Sequence, residues 1–494
     1  MRGAMKNRRL WGRATSGRRG ASAIVLPLLL AGCSFAPAYV RPAAPVPQAY
    51  PTSPSAQPSI ARIGWYDFFR EDQLRALIAA ALEHNRDVRI AAARVEQARA
   101  SWRIEGAALY PELNAVGTGT RARSLINLPG AGAQSYDIKQ VTAQLSAGWE
   151  IDLWGRLRNL NEAARNRYLA TEEASRGVAT DLIAQVANGY LLEREYEERV
   201  AIATRTIATR EESLRIIRRR YEVGSGSKLD MTQAQMLLGQ AQTALEALDQ
   251  DRAVNRNALA LLVGQPVKIA PGALGLANAA SEIVMPAGLP SELLVYRPDI
   301  VEAEYQLRAA DADIGAARAA FFPQISLTGA LGSTSTDLAG LFGGGSLSWS
   351  FSPTITLPIF NAGKLAANRD VAKARQVEAV ATYEQTIQRA FRDVSDALVQ
   401  RQQLARQIET TRMVLEALRE RTRLAQLRFD NGRSAYLEVL DAQRDLFETE
   451  QTLVQLRRAH LASAIALYSA LGGGFPAQVP DHPDSSQDSG VDKR

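Results

Sequence analysis

The chain has 494 residues, 46% hydrophobic but only 6% aromatic, and this balance favours long helices over a set of compact globular cores. The net charge of +6 is misleading, because residues 1–32 hold seven basic residues (Arg2, Lys6, Arg8, Arg9, Arg13, Arg18, Arg19) and no acid. The remainder carries 51 basic against 52 acidic residues, and a nearly neutral chain has no general electrostatic draw toward nucleic acid.

Residues 1–32 read as a signal peptide: a basic segment, then an apolar run from Ala23 to Leu30 too short to span a membrane. Leu30-Ala31-Gly32-Cys33 resembles a bacterial lipobox, which makes Cys33 the expected lipidation site. Cys33 is the only cysteine, so disulfides within the chain are excluded. An ordinary signal peptide with an incidental cysteine is the alternative. Ser34, rather than Asp, follows Cys33, which by analogy with enterobacterial lipoproteins favours the outer membrane. Residues 33–60 then read as an acylated, extended, proline-rich tether, with Pro37, Pro42, Pro45, Pro47, Pro51, Pro54 and Pro58.

The rest of the chain is a duplication, 61–265 and 291–475, joined by a proline-containing linker over 266–290 and followed by a disordered tail over 476–494. At an offset of 208 residues, Gly155 matches Gly363, Tyr221 matches Phe429, Gly224 matches Gly432 and Gly264 matches Gly472. Upstream the offset is 212: Asp87 matches Asp299, and Tyr110-Pro111 matches Phe322-Pro323. The change falls between paired strands, where a hairpin loop absorbs it.

Each copy begins with a helix, expected over roughly 71–108 and 291–320. A β-hairpin follows at about 112–153 and about 324–359. From 141 to 153 every odd position is apolar (Val141, Ala143, Leu145, Ala147, Trp149, Ile151, Leu153), against polar or small even positions. Leu347, Trp349, Phe351, Ile355, Leu357 and Ile359 repeat the pattern. Soluble sandwich strands alternate in the same way, but they average about five or six residues, whereas a membrane-barrel strand needs about 9–11. Long helices are expected over 155–223 and 362–430, short turns after them, and returning helices over 229–263 and 435–471. Their apolar seams resemble a coiled coil, and they are too polar to stand in lipid.

Four strands cannot close a barrel in lipid, where open edges are not tolerated. The expected fold is therefore mixed, mainly α. A duplicated helix–hairpin–helix unit forms a trimeric 12-stranded membrane β-barrel, continued by an α-helical coiled-coil barrel in water. Enzyme readings are weak. Gly224-Ser225-Gly226-Ser227-Lys228 lacks phosphate-loop spacing and follows a helix, and His84, His460 and His482 have no metal spacing. No cofactor, metal or catalytic residue is expected.

Three segments carry a family resemblance: Gly148-Trp149-Glu150-Ile151-Asp152-Leu153-Trp154-Gly155-Arg156, Leu289-Pro290-Ser291-Glu292-Leu293-Leu294 with Arg297-Pro298-Asp299-Ile300, and Val439-Leu440-Asp441-Ala442-Gln443-Arg444. The chain resembles the TolC-type outer-membrane factors, and more closely the NodT-like efflux lipoproteins. The resemblance implies a homotrimeric exit duct in the outer membrane with a large periplasmic portion. It would be coupled through a periplasmic membrane-fusion adaptor to an inner-membrane RND-type pump, and would export drugs or other small molecules. It also implies a pore gate at Asp230, Glu438 and Asp441, with Arg220, Lys228, Arg428 and Arg433 as possible partners and Gly224 and Gly432 at adaptor-contact turns. The same acids also suit helix N-termini, and the glycines suit simple helix termination. A lipid-anchored periplasmic scaffold without a pore and a type I protein-secretion duct are the alternatives.

Overall fold

The computed structural model describes residues 35–50, 63–128, 132–271, 276 and 290–474. The signal segment with Cys33, part of the tether, most of the linker and the tail lie outside the described residues. In chain order the helices and strands are α1 (Trp65–Phe68), α2 (Asp72–His84), α3 (Arg86–Ala107), β1 (Glu112–Leu128), β2 (Gly132–Ile151), α4 (Arg156–Glu222) and α5 (Lys228–Val263). The second copy supplies α6 (Pro290–Tyr296), α7 (Pro298–Ala319), β3 (Gln324–Ser335), β4 (Leu347–Thr356), α8 (Lys364–Asp430) and α9 (Tyr436–Ala470). The chain divides into a sheet-containing unit (Met1–Val40, Ala100–Arg165, Arg308–Val377) and a helical unit (Arg41–Arg99, Asn166–Leu307, Glu378–Arg494).

In the first unit the strands form one antiparallel sheet in the order β1-β2-β3-β4, so the central β2–β3 ladder joins the two copies. The β1–β2 register runs without a bulge from Glu112↔Gly148 to Leu128↔Gly132. Successive side chains alternate between faces, so an unbroken register keeps every odd position on one side. Leu145 therefore faces Leu331, and Leu331 faces Trp349, along one apolar row. On the other side Ser146 meets Ala330, and Ala330 meets Ser350. Leu331, Trp349 and Phe351 are each more than half exposed, an apolar face far too large for an unpartnered soluble sheet. Among the described residues β1 pairs only with β2 and β4 only with β3, leaving two open edges.

The segment after Cys33 is extended but not free. In the sheet unit Phe35 stacks on Phe322 at 4.6 Å, Trp154 stacks on Phe322 at 5.0 Å, and Arg318 donates to the Phe35 carbonyl at 3.0 Å. In the helical unit Arg41 Nη2 donates to both carboxylate oxygens of Glu304, at 2.8 and 3.0 Å, and buried Tyr50 stacks on Phe391 at 5.2 Å.

The long helices α4 and α8 each have 67 residues. At 1.5 Å per residue that is about 100 Å. The core of the helical unit gathers Ile78, Val186, Tyr190, Ile300, Ile387, Val394 and Leu467, all nearly inaccessible to solvent.

The apolar periodicity predicts a single first helix in each copy, but the chain forms two, broken at Asn85 and at Arg297. In copy one Asn85 is extended (φ −61, ψ 139), and its Oδ1 accepts the Asp87 and Val88 N–H groups at 2.7 and 3.2 Å, capping α3. In copy two Pro298 disfavours helical geometry at Arg297. Both breaks receive the end of a returning helix. Asn85 Nδ2 donates to the Leu262 carbonyl at 2.9 Å, and Arg297 Nη1 donates to the Ala470 carbonyl at 3.1 Å. Leu262 and Ala470 are related by the 208-residue offset, and Asn85 and Arg297 by the 212-residue offset.

Glu193, with no solvent exposure, ties α4 to α5: its Oε1 accepts Arg252 Nε at 2.7 Å and Arg256 Nη2 at 2.8 Å. Burial pushes its carboxyl up, but hydrogen bonds from Arg256 and Arg252 outweigh this and hold it below the usual range. A depressed carboxylate contributes stability above its unfolded pKa and loses it as pH falls through the folded value. Glu193→Gln should therefore cost about 3 kcal/mol of unfolding free energy, read from denaturant titration at pH 7, with the gap narrowing below pH 4. A flat difference across that range would contradict the ion-pair reading.

Candidate functional site

The two helix turns of the helical unit repeat one backbone pattern. The Gly224 N–H donates to the Tyr221 carbonyl at 3.0 Å and the Ser225 N–H to the Arg220 carbonyl at 2.8 Å. In copy two the Gly432 N–H donates to the Phe429 carbonyl at 3.0 Å and the Arg433 N–H to the Arg428 carbonyl at 2.8 Å. Both glycines are left-handed, φ +76 and +67, and open space surrounds each. The turns close over a core of Leu214, Ile217, Leu237, Tyr436, Val439 and Leu440.

The copies diverge just beyond the turns. Ser227 Oγ caps α5 by accepting the Leu229 N–H at 3.0 Å, whereas Ala435 gives α9 no side-chain cap. Asp230 and Glu438 occupy matching first-turn positions. Arg428 reaches Glu438 at 3.6 Å, both about half exposed, a surface pair worth about 0–1 kcal/mol. Among the described residues Arg220 meets no acid and lies instead over the Phe429 ring at 4.7 Å, and Phe429 packs against Tyr436 at 4.9 Å. Asp230, Lys228 and Arg433 make no ion pair among the described residues.

Asp441 belongs to a network that sequence reasoning captured only in part. Arg444 contacts Asp441 at 3.4 Å and Asp445 at 3.3 Å, and Arg421 reaches from α8 to Asp445 at 2.7 Å. The Arg421 hydrogen bond holds the Asp445 carboxyl below the usual carboxylate range. Asp441 and Asp445 are four residues apart, so they share a helix face, and Arg444 is the i+3 neighbour of Asp441. That spacing was available in the sequence. The reach of Arg421 across from α8 was not.

No helix among the described residues is long and apolar enough to cross a membrane, so the exposed apolar surface of the sheet is the membrane-facing candidate. An open-edged sheet with one apolar face, in one chain with helices of this length, is the make-up of an outer-membrane channel protein. The family model described as outer membrane efflux protein matches residues 77–265 and again 289–473, and the chain belongs to that family. The two matched segments start 212 residues apart and end 208 apart, the offsets of the internal duplication.

Three relatives and one solved structure place it further. The cation efflux system protein CusC of Escherichia coli is 41% identical over 452 residues, 91% of this chain and 97% of that protein. The toluene efflux pump outer membrane protein TtgI of Pseudomonas putida is 44% identical over 456 residues, again 91% and 97%. The probable outer membrane lipoprotein SilC of Salmonella typhimurium is 41% identical over 453 residues, 90% and 97%. The open state of the Neisseria gonorrhoeae MtrE outer membrane channel superposes with a TM-score of 0.80 at 36% identity, covering 90% of this chain and 98% of that one. The protein is an outer-membrane efflux channel.

Proposed function

We propose that three copies of the chain form a twelve-stranded outer-membrane barrel. This barrel is the exit duct of a tripartite pump, fed by an inner-membrane RND-type transporter through a periplasmic adaptor. The observation that carries this reading is the pair of open edges on a four-stranded sheet with one continuous apolar face. Open edges are not viable in lipid, and three protomers joined edge to edge remove them. The height agrees as well. The β2–β3 ladder from Val141 to Ile151 spans about 33 Å along the strand and, at a tilt of about 40°, about 25 Å across the membrane. The wet face, with Gln144, Ser146, Ser348 and Ser350, lines the lumen. Acylation of Cys33 adds a lipid anchor beside the barrel. The native mass of the detergent-solubilised protein tests this: a complex of three chains supports it, and a stable monomer or dimer overturns it.

Within that duct we infer a gate of carboxylates at Asp230, Glu438 and Asp441 near the helix turns. Threefold repetition turns each acid into a ring of like charge, which favours cations and repels anions. The Arg428–Glu438 and Arg444–Asp441 contacts support a gate with arginine partners. Glu438→Gln with Asp441→Asn should lower the cation-to-anion permeability ratio severalfold in planar bilayers. An unchanged ratio would leave these acids as helix-terminal residues only. Cargo does not follow from relatedness, since CusC and TtgI, similarly related to this chain, are named for cations and for toluene.

A further inference from the structure

The β1–β2 hairpin outlasts the rest of the sheet. Strands β1 and β2 have 17 and 20 residues, β3 and β4 only 12 and 10. On the odd-numbered face the apolar pairs Leu113↔Ala147, Ala115↔Leu145, Gly117↔Ala143 and Gly119↔Val141 come first. The next two pairs on that same face are Arg121↔Lys139 and Arg123↔Asp137. The apolar belt therefore ends at Val141, and charge begins two residues further along the strand.

These two charged pairs differ. Arg123 is matched by Asp137 at 2.8 Å, whereas Arg121 and Lys139 lie directly opposite each other, both exposed, and neither makes an ion pair among the described residues. Like charges directly opposite in an antiparallel ladder are unfavourable. The patch formed by Arg121, Arg123, Lys139 and Asp137 carries two uncompensated positive charges. Below it the small residues of the belt leave a shallow, open and mostly apolar cleft of about 510 Å³, where Gly117, Ala143, Leu145, Leu331 and Leu347 are joined by Ser333 and an edge of Gln144.

We propose that Arg121 and Lys139 bind the phosphate of an anionic glycolipid of the outer leaflet, whose acyl chain lies in the cleft beneath them. The proposal rests on the barrel reading, which turns the odd face toward lipid and puts the Arg121–Lys139 level at the outer leaflet. Charge complementarity selects the ligand: a phosphate relieves the like-charged pair, and only an amphiphile fills the apolar cleft at the same time. The position fits, because two residues beyond the belt is headgroup depth, where basic side chains meet lipid phosphate.

The test is native mass spectrometry of the full-length complex in detergent, titrated with lipid A, with dephosphorylated lipid A and with inorganic phosphate. Wild type should hold lipid A about tenfold more tightly than the Arg121→Ser/Lys139→Ser variant. Dephosphorylated lipid A should bind wild type about as weakly as lipid A binds the variant, and millimolar phosphate should not displace the lipid. Equal lipid A binding by both proteins overturns the proposal, and so does displacement by phosphate alone, which would mark a bare anion site. If the double variant fails to assemble, Lys139→Gln replaces it, with a smaller loss of affinity expected and an unchanged affinity counting against the site. The trimer mass recorded before titration separates this failure from failure of the barrel reading.

Discussion

Gly472→Ala should be among the most damaging small substitutions in the helical unit, costing on the order of 3–5 kcal/mol. Gly472 has φ +105, and a Cβ there would lie 2.3 Å from the Tyr296 carbonyl oxygen and 2.8 Å from its carbon. These are backbone atoms at the α6–α7 break, held in place by Arg297, and they cannot swing aside as a side chain can. Gly264→Ala should behave alike, because φ is +77 and the Cβ would meet the His84 carbonyl oxygen at 2.5 Å. Gly224→Ala is the control. It shares the left-handed conformation (φ +76) but has nothing within 4 Å, so only the conformational cost of about 1–2 kcal/mol remains. Denaturant midpoints of the three variants should rank Gly472 and Gly264 well below Gly224. Equal losses would mean that conformation alone, and not the close approach, demands glycine at the breaks.

That pairing also marks where sequence reading stops. The duplication and its two offsets are legible because the turn glycines, the aromatics before them and the strand alternation repeat residue for residue. The alternation carries straight into the register, since an unbulged antiparallel ladder cannot alter parity. The helix breaks are not legible in the same way. Asn85 and Arg297 do one job, donating to the last carbonyls of the returning helix, but one is an amide and the other a guanidinium, so self-comparison does not align them by type. The proline-rich composition of residues 37–58 suggests a spacer, while Phe35, Arg41 and Tyr50 pin the chain through tertiary contacts that composition cannot encode. At the turns the first-turn acids and the basic residues are visible in sequence. Their pairing is not: Arg428 takes Glu438, but Arg220 takes the Phe429 ring, because the ring lies within 4.7 Å of its guanidinium.

The two faces of the sheet should respond oppositely to charge. Leu331 lies near the middle of the β2–β3 ladder on the apolar side, opposite Leu145 and Trp349, and is more than half exposed. In the proposed barrel, Leu331→Arg places a guanidinium at the centre of the lipid belt, where a lipid-facing arginine costs about 2–4 kcal/mol per chain. In the proposed trimer, three symmetry-related copies multiply that cost within one barrel. Ala330→Arg adds the same group one residue earlier, between Ser146 and Ser350 on the wet face, where its charge stays solvated. The expected result is loss of Leu331→Arg from the detergent-resistant trimer and from the outer-membrane fraction. Ala330→Arg should assemble normally and shift the conductance of the pore toward anions. If both variants assemble equally well, the apolar face does not meet lipid. If both fail, the position is intolerant of bulk, and the charge of the arginine decides nothing.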